Sequence, residues 1–523
     1  MSALDLILGT PQVSRGAPKT YAPKPPASSP ANRVAVLVAH GMGQQVPYET
    51  IDGVVQALLR GAQASDAGVT SAVIRTVRMG AQNLDELEPE LVRAEFEIAE
   101  QNGNRHEVHV YEAYWAPFTE GKITAAEVVK FLFDAGWNGI KNTQGKTYQR
   151  WMFGRERNFE LRTERLVAAF VGIIALLASL VFINAIAAAA AASHAIGAAR
   201  PFPTGTLLVR LTWDFVLVDI AAALIAAGVF GFGNAISTAA RRFGWLIIFF
   251  GAFMIVVGAV FMFGHMAGWG WFARFVPGDG WEWFVTCHSL PVLALWAVEF
   301  WATLKARTLL VQYVGDVAAY IAAHTVSKFW EVRQQIWKTA MRVGRGVYRA
   351  RTAEDANYLY PKIVVVGHSL GSVIGYDMLN GLLLEGEFSA QSLDVPARTR
   401  MFLTFGSPLD KTAFLFRTLK DMRSQVREVG AAAVQPMIAD YSNRPQEWVN
   451  LWSPADIISG PLDFYDPPTQ VTAKHKAHYQ GTTADPRAVS NFVDLWARTP
   501  LAAHVQYWNG PLFAQHLYRA VTT

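Results

Sequence analysis

The 523-residue chain contains a single cysteine, Cys287, and only 17% of its residues are charged. One cysteine excludes a disulfide within the chain, and its apolar surroundings favour a buried structural thiol. The chain also lacks the His-Glu-x-x-His and His-x-His spacings of metal sites, as well as a glycine-rich phosphate loop ending in Lys-Ser or Lys-Thr. We therefore expect no metal ion and no phosphate loop of this kind.

Hydrophobic residues make up 52% of the chain, so part of it is expected to lie in lipid. The net charge is +4, and the basic residues are dispersed near the ends of apolar segments. This pattern does not indicate a nucleic-acid surface, and anionic lipid headgroups are the expected counterpart. Residues 1–32 are rich in Pro, Ala and Ser, and predict a disordered leader without a cleavable signal peptide.

The middle of the chain contains apolar segments long enough to cross about 30 Å of hydrocarbon. Four membrane spans are predicted, at about 166–192, 207–232, 243–263 and 283–304. The fourth contains Pro291, and an interfacial helix is the alternative for it. Four spans return the chain to its starting side, whereas an odd number would separate the regions that flank them.

Basic residues flank the first, second and fourth predicted spans. They are Arg150, Arg155, Arg157, Arg162 and Arg165 before the first span, Arg241 and Arg242 after the second, and Lys305 and Arg307 after the fourth. By the positive-inside rule the flanking regions face the cytoplasm, and the inner membrane of a bacterium is the expected location. Acidic residues inside the spans, Asp214, Asp219 and Glu299, indicate either a proton relay or helix-locking pairs such as Asp214 with Arg210.

The most informative segment is 364–372, in which three valines lead into Gly-His-Ser-Leu-Gly and then a helical pattern over about 372–384. It predicts a strand, a tight turn that exposes the hydroxyl of Ser369, and a helix. Gly367 and Gly371 are expected where any side chain would collide with the neighbouring strand or helix. A glycine-rich turn carrying a surface serine is the alternative.

A second β-branched run, 33–39, ends in His40-Gly41-Met42-Gly43. Glycine lets the backbone approach a substrate carbonyl oxygen closely. We therefore assign the backbone N–H of Met42, with that of Leu370, as candidate oxyanion donors, supported by His40 and Gly41. A plain glycine turn is the alternative.

A nucleophilic serine needs a base, and the base needs an orienting carboxylate. Asp456 follows a predicted strand at 447–452 and is the candidate acid, while Asp410, Asp463 and Asp466 are rivals. His504 lies after all predicted strands and is the candidate base. The other histidines considered are His475 and His478 in a polar segment, His516 in the last predicted helix, and His368, which is expected to point elsewhere.

With these motifs the chain resembles the α/β-hydrolase superfamily, and within it lipases and esterases that have a His-Gly oxyanion strand and a Gly-His-Ser-Leu-Gly elbow. The resemblance covers roughly 33–118 and 355–520 and omits the apolar middle. It implies an α/β fold with a mostly parallel sheet and helices on both faces, interrupted here by an all-α transmembrane insert. It also implies acyl-enzyme chemistry without a cofactor, in which Ser369 is the nucleophile, His504 the base and Asp456 its partner.

The expected organisation is a leader (1–32), a first hydrolase part (33–118), a helical membrane insert with connecting helices (119–350) and a second hydrolase part (351–523). The expected function is hydrolysis of acyl esters, of lipids or lipid-like molecules, because a membrane-tethered cleft meets amphiphiles at high local concentration. Acyl transfer uses the same apparatus. The alternatives are an inactive hydrolase-fold scaffold, a lipid-binding protein and a transporter.

Overall fold

The computed structural model describes the following parts of the chain. Before residue 300 they are 32–42, 46–78, 90–120, parts of 122–134, isolated positions within 214–228, and 238–267; after it they are 315–321, 327–352, 357–388, 393–410, 412, 435–439, 441–456, 458–462, 465, 488–499 and 502–523. The described residues form two compact units. The first unit holds those up to Phe131 and from Gln312 onward, and the second holds those within Leu132–Thr143 and Arg162–Val311.

The first unit is built on a sheet of nine described strands. They are β1 (Arg33–Ala39), β2 (Gly68–Val69), β3 (Val73–Arg78), β4 (Glu90–Ala99), β5 (Arg105–Ala113), β6 (Lys362–His368), β7 (Thr399–Phe405), β8 (Glu447–Trp452) and β9 (Val489–Val493). The order is β2-β4-β5-β1-β6-β7-β8-β9, and β3 also pairs with β4. The strands from β5 to β9 along this order run parallel, whereas β2, β3 and β5 each pair antiparallel with β4.

The described helices lie in both units. In chain order they are α1 (Glu49–Ala64), α2 (Thr238–Met266), α3 (Gly315–Ile321), α4 (Ser327–Arg349), α5 (Leu370–Phe388), α6 (Val395–Arg398), α7 (Pro436–Ala439), α8 (Ala503–Gln506) and α9 (Pro511–Thr522). All except α2 belong to the first unit. The expected α/β class with a mostly parallel sheet is thereby confirmed.

Helices cover both faces of the sheet. On one face, Val364 and Val366 of β6 share a core with residues of α1 and α9. On the other, Gly375 of α5 packs so closely that an added Cβ would lie 3.2 Å from Phe402 and 3.5 Å from Val365. A strand covered on both faces needs apolar side chains at every position, which explains the continuous valine run of β6.

The predicted element ends agree closely with the structure, with small differences. The strands predicted at 33–39 and 447–452 coincide with β1 and β8. The helix predicted over about 372–384 runs instead from Leu370 to Phe388. The helix thus starts directly after the serine, and Gly371 and Ser372 belong to its first turn.

The second unit contains a helix that is long and apolar enough to cross a membrane. Within α2, the segment Arg242–His265 has a mean hydropathy of 2.8 and is only 17% buried, and it overlaps the span predicted at 243–263. The predicted spans at 166–192 and 283–304 lie outside the described residues, and the span at 207–232 is described only at isolated positions.

One buried polar contact joins two helical segments of this second unit. The Nδ1 atom of His265 lies 2.6 Å from Oδ2 of Asp214, and both side chains are nearly inaccessible to solvent. Gly258 of α2 packs against the same partner segment, where an added Cβ would lie 3.5 Å from the carbonyl oxygen of Asp214. Asp214 therefore has a histidine partner that sequence reasoning did not identify, whereas Arg210, Asp219 and Glu299 lie outside the described residues.

Candidate active site

Ser369 lies in the tight turn between β6 and α5. Its backbone φ angle is 53°, in the left-handed region that a residue with a side chain rarely adopts. The turn is held by hydrogen bonds from the N–H of Ser369 to the carbonyl of Phe405 (3.0 Å) and from the N–H of Ser372 to the carbonyl of Ser369 (2.9 Å). Strain of this kind persists only where the surrounding structure enforces it, and it is concentrated at functional sites.

Three glycines make this turn possible. A Cβ on Gly367 would lie 2.5 Å from the Cα of Ser372, and a Cβ on Gly371 would lie 2.1 Å from the carbonyl oxygen of Ala39. A Cβ on Gly41 would lie 2.9 Å from the Cβ of Ser369. These approaches explain the two glycines of the elbow and show that the end of β1 lies directly against the serine.

The side chain of Ser369 is buried, with 0% of the residue exposed, so the expectation of an exposed hydroxyl is wrong. The reason is that two segments distant in sequence cover the turn. Gly41 packs against the Cβ of Ser369, and the ring of His504 lies against its hydroxyl.

The structure joins Ser369, His504 and Asp456 in one hydrogen-bonded row. The Nε2 atom of His504 lies 2.8 Å from Oγ of Ser369, and its Nδ1 atom lies 3.0 Å from Oδ2 and 3.2 Å from Oδ1 of Asp456. Because a carboxylate only accepts, Nδ1 carries the proton and Nε2 accepts from the serine hydroxyl. The row therefore has the arrangement that a Ser-His-Asp triad needs.

Asp456 is held as a carboxylate in spite of its burial. Burial by itself raises the pKa of this carboxyl, but hydrogen bonds from His504, from the Ile458 N–H (2.9 Å) and from the Tyr507 hydroxyl (3.0 Å) bring the pKa well below its ordinary value. Such an acid stays ionised beside the imidazole and stabilises its positive charge when the imidazole takes up a proton.

The remaining candidate acids and histidines from the sequence are placed as follows. Asp410 follows β7, and the ring of His516 on α9 lies 4.6 Å from that of Phe492 and is tilted by 47°. His368 points away from the serine hydroxyl, as expected, and its Nε2 atom lies 2.8 Å from the carbonyl oxygen of His504. Asp463, Asp466, His475 and His478 lie outside the described residues.

His40 braces the segment that follows β1. Its Nδ1–H donates to the carbonyl of Gly41 at 2.9 Å, and its Nε2 accepts from the N–H of Trp115 at 3.1 Å. The imidazole also stacks on the Trp115 indole, with the rings 4.6 Å apart and 10° from parallel. Burial lowers the pKa of His40 to about 4, although the bond to Gly41 raises it somewhat. A neutral ring that uses both nitrogens fixes the path of the backbone at Gly41.

The two candidate oxyanion donors lie on the segments that meet at the serine. Leu370 is the first residue of α5, and the first N–H groups of a helix have no acceptor within the helix. Met42 is buried and directly follows Gly41, which packs on Ser369. The partial positive charge of the α5 N-terminus also points at this place.

Sequence reasoning missed two residues that position the histidine and the acid. Gly406 follows β7 with a φ of +59°, and an added Cβ there would lie 3.3 Å from the His504 ring. Tyr507 is fully buried and donates to Asp456. The Gly-Ser-Pro run at 406–408 is a usable turn signal for Gly406, whereas no pattern around Tyr507 distinguishes it from the other tyrosines.

Comparison of the chain with protein-family models, with curated proteins and with solved structures gives no match. Among the described residues, no group of three or more His, Cys, Asp or Glu side chains could hold a metal ion. The chemistry of the site is therefore argued from its own geometry. A polarised serine hydroxyl, an imidazole that accepts its proton and two backbone N–H groups form a set that can attack a carbonyl carbon.

Proposed function

We propose that this protein is a membrane-anchored serine hydrolase with an α/β-hydrolase fold that cleaves acyl esters of lipids or lipid-like molecules. The observation that carries the proposal is the row from Asp456 through His504 to Ser369, with contacts of 3.0 Å and 2.8 Å. These residues come from three separate segments, and each lies just beyond the carboxyl end of a strand or in the C-terminal region. The strained turn at Ser369 supports the same conclusion.

The proposed reaction has two halves. In the first, Nε2 of His504 takes the hydroxyl proton as Oγ of Ser369 attacks the acyl carbonyl carbon, and the N–H groups of Met42 and Leu370 stabilise the negative oxygen. The C–O bond to the alcohol then breaks, and the alcohol leaves with that proton. In the second, His504 deprotonates a water that attacks the acyl-enzyme, the bond from the acyl carbon to Oγ breaks, His504 returns the proton to Ser369, and the carboxylic acid product leaves.

The preference for lipid-like substrates is argued from the apolar helix. Most of the side chains of α2 between Arg242 and His265 are not covered by the protein, and in lipid they would bury their apolar area. A hydrolase tethered in this way meets amphiphilic esters at high local concentration. No nucleic acid, metal or cofactor enters the proposed reaction.

The test is covalent labelling with a fluorophosphonate, which reacts with activated serines. We expect the detergent-purified protein to be labelled at Ser369, Ser369→Ala to lose all labelling, and Ser490→Ala, which changes an exposed serine on β9, to be labelled like the wild type. Turnover of p-nitrophenyl esters of graded chain length should rise toward long chains. An intact protein without labelling or turnover would instead favour an inactive scaffold or a lipid-binding protein.

A further inference from the structure

Tyr507 lies three residues after His504, on the 3-10 turn Tyr507–Asn509 that directly follows α8. This spacing brings the phenol and the imidazole to the same carboxylate. The Tyr507 hydroxyl lies 3.0 Å from Oδ2 of Asp456, the same oxygen that is 3.0 Å from Nδ1 of His504. One short segment thus supplies both the proposed base and a second donor to its acid.

The loop that carries Asp456 also supplies a hydrogen-bond partner for Tyr507. Ser459 lies three residues after Asp456, and its Oγ is 2.9 Å from the Tyr507 hydroxyl. Because a carboxylate only accepts, Tyr507 donates to Asp456, and the serine hydroxyl therefore donates to the phenol oxygen. Chains of hydrogen bonds in which each group both donates and accepts are strengthened cooperatively. The direction of every bond from Ser459 to Asp456 is thus fixed.

The surroundings of Tyr507 keep this chain dry and its phenol protonated. Tyr507 is completely buried, and its ring lies 6.1 Å from that of Phe405. Burial and the nearby carboxylate of Asp456 both raise the pKa of Tyr507 above its ordinary value. The phenol is consequently protonated, and a donor, at neutral pH.

We propose that Tyr507 is a positioning residue that, supported by Ser459, holds Oδ2 of Asp456 in the orientation His504 requires. The inference rests on the proposed serine hydrolase function and adds to it a group that does not touch the substrate. If the phenol is removed, Oδ2 keeps only the bond from His504, and Oδ1 is still held by the Ile458 N–H at 2.9 Å, so the carboxylate is fixed less firmly about its Cβ–Cγ bond. A misaligned acid weakens transition-state stabilisation and leaves substrate binding unchanged.

The test compares Tyr507→Phe, Ser459→Ala and a matched control, Tyr348→Phe, in the full-length protein. Tyr348 is also fully buried and its hydroxyl bonds to a side chain, Oγ1 of Thr399 at 2.6 Å, but it lies on α4 away from the site. We expect Tyr507→Phe to lower kcat about tenfold with little change in KM, since a hydrogen bond to a charged group contributes about this factor. Ser459→Ala should give a smaller loss, and Tyr348→Phe should lower thermal stability while kcat stays within about twofold.

A double-mutant cycle decides whether Tyr507 acts through the acid. Tyr507→Phe should lower the fluorophosphonate labelling rate of the wild type and add no further loss to Asp456→Ala. An equal loss in both backgrounds, or an unchanged kcat in Tyr507→Phe, would overturn the positioning role while the hydrolase proposal stands. A wild-type protein without labelling or turnover would instead remove the proposed function itself.

Discussion

The imidazole of His368 donates a hydrogen bond from Nε2 to the carbonyl oxygen of His504, over 2.8 Å. The residue next to the nucleophile therefore holds the backbone of the proposed base, and its ring stacks on Phe405 of the adjacent strand at 4.9 Å. This contact ties the elbow on β6 to the C-terminal segment that carries His504. The hydrogen bond from His368 and the stacking of its ring on Phe405 therefore both help to set the distance between Ser369 and His504.

We expect His368→Phe to lower kcat about tenfold, because the stacking on Phe405 is kept while the carbonyl of His504 loses its donor. The measurement is steady-state hydrolysis of a p-nitrophenyl ester. His516→Phe is the matched control, since His516 is also a buried histidine with its ring against a phenylalanine, but it lies on α9. Equal kcat values in the two variants would show that the bond from His368 does not position the base.

A second prediction concerns the acid stability of the fold. Burial lowers the pKa of His40 to about 4, and burial with the nearby His504 lowers that of His368 to about 3. A histidine in the unfolded chain has a pKa near 6.5. Between pH 6.5 and the lower pKa values of the folded protein, the unfolded chain therefore binds more protons than the folded one. The free energy of unfolding consequently decreases as the pH is lowered through this range. Each histidine should contribute a loss of about 1.5 kcal/mol between pH 6.5 and 5.

The measurement is denaturant unfolding of the purified protein, followed by tryptophan fluorescence at several pH values. His40→Asn keeps a side chain that can donate to Gly41 but cannot titrate, so its stability should depend less steeply on pH. If the free energy of unfolding of His40→Asn depended on pH as steeply as that of the wild type, His40 would not be a buried neutral ring in the folded protein.

A third prediction separates two glycines of the same helix, α5. Gly371→Ala places a Cβ 2.1 Å from the carbonyl oxygen of Ala39, so backbone must move, and we expect a loss of about 3 kcal/mol in stability together with loss of turnover. Gly386→Ala meets no atom within 4 Å and should raise stability by about 0.5–1 kcal/mol without affecting kcat. Thermal unfolding and ester turnover of both variants check this contrast, and similar behaviour of the two would refute it.

The strands and the elbow could be predicted because their signals are local. A β-branched run that leads into a glycine turn predicts β1, β6 and the turn at Ser369. The pairing of β1 with β6 and the partner of Asp214 depend on contacts between distant segments, which no local pattern encodes.

The candidate site likewise combines residues that sequence patterns predict with residues whose role depends on contacts between distant segments. His504 and Asp456 follow the chain order of a known arrangement, and this was enough to select them. Tyr507 becomes significant only once the loop from Asp456 to Ser459 folds against it. The burial of Ser369 likewise results from Gly41 and His504, which lie more than a hundred residues away from it in sequence.

The last prediction concerns the choice of acid, for which Asp463 was a rival. Asp456→Asn keeps the size of the side chain but replaces its charge with a neutral amide, so the imidazole loses its ionic partner and its preferred tautomer. We expect kcat to fall by about 10³-fold, with the fold intact by circular dichroism, whereas Asp463→Asn should stay within about twofold of the wild type. If the Asp463 change alone abolishes turnover, the carboxylate that meets His504 at 3.0 Å is not the one that supports the reaction.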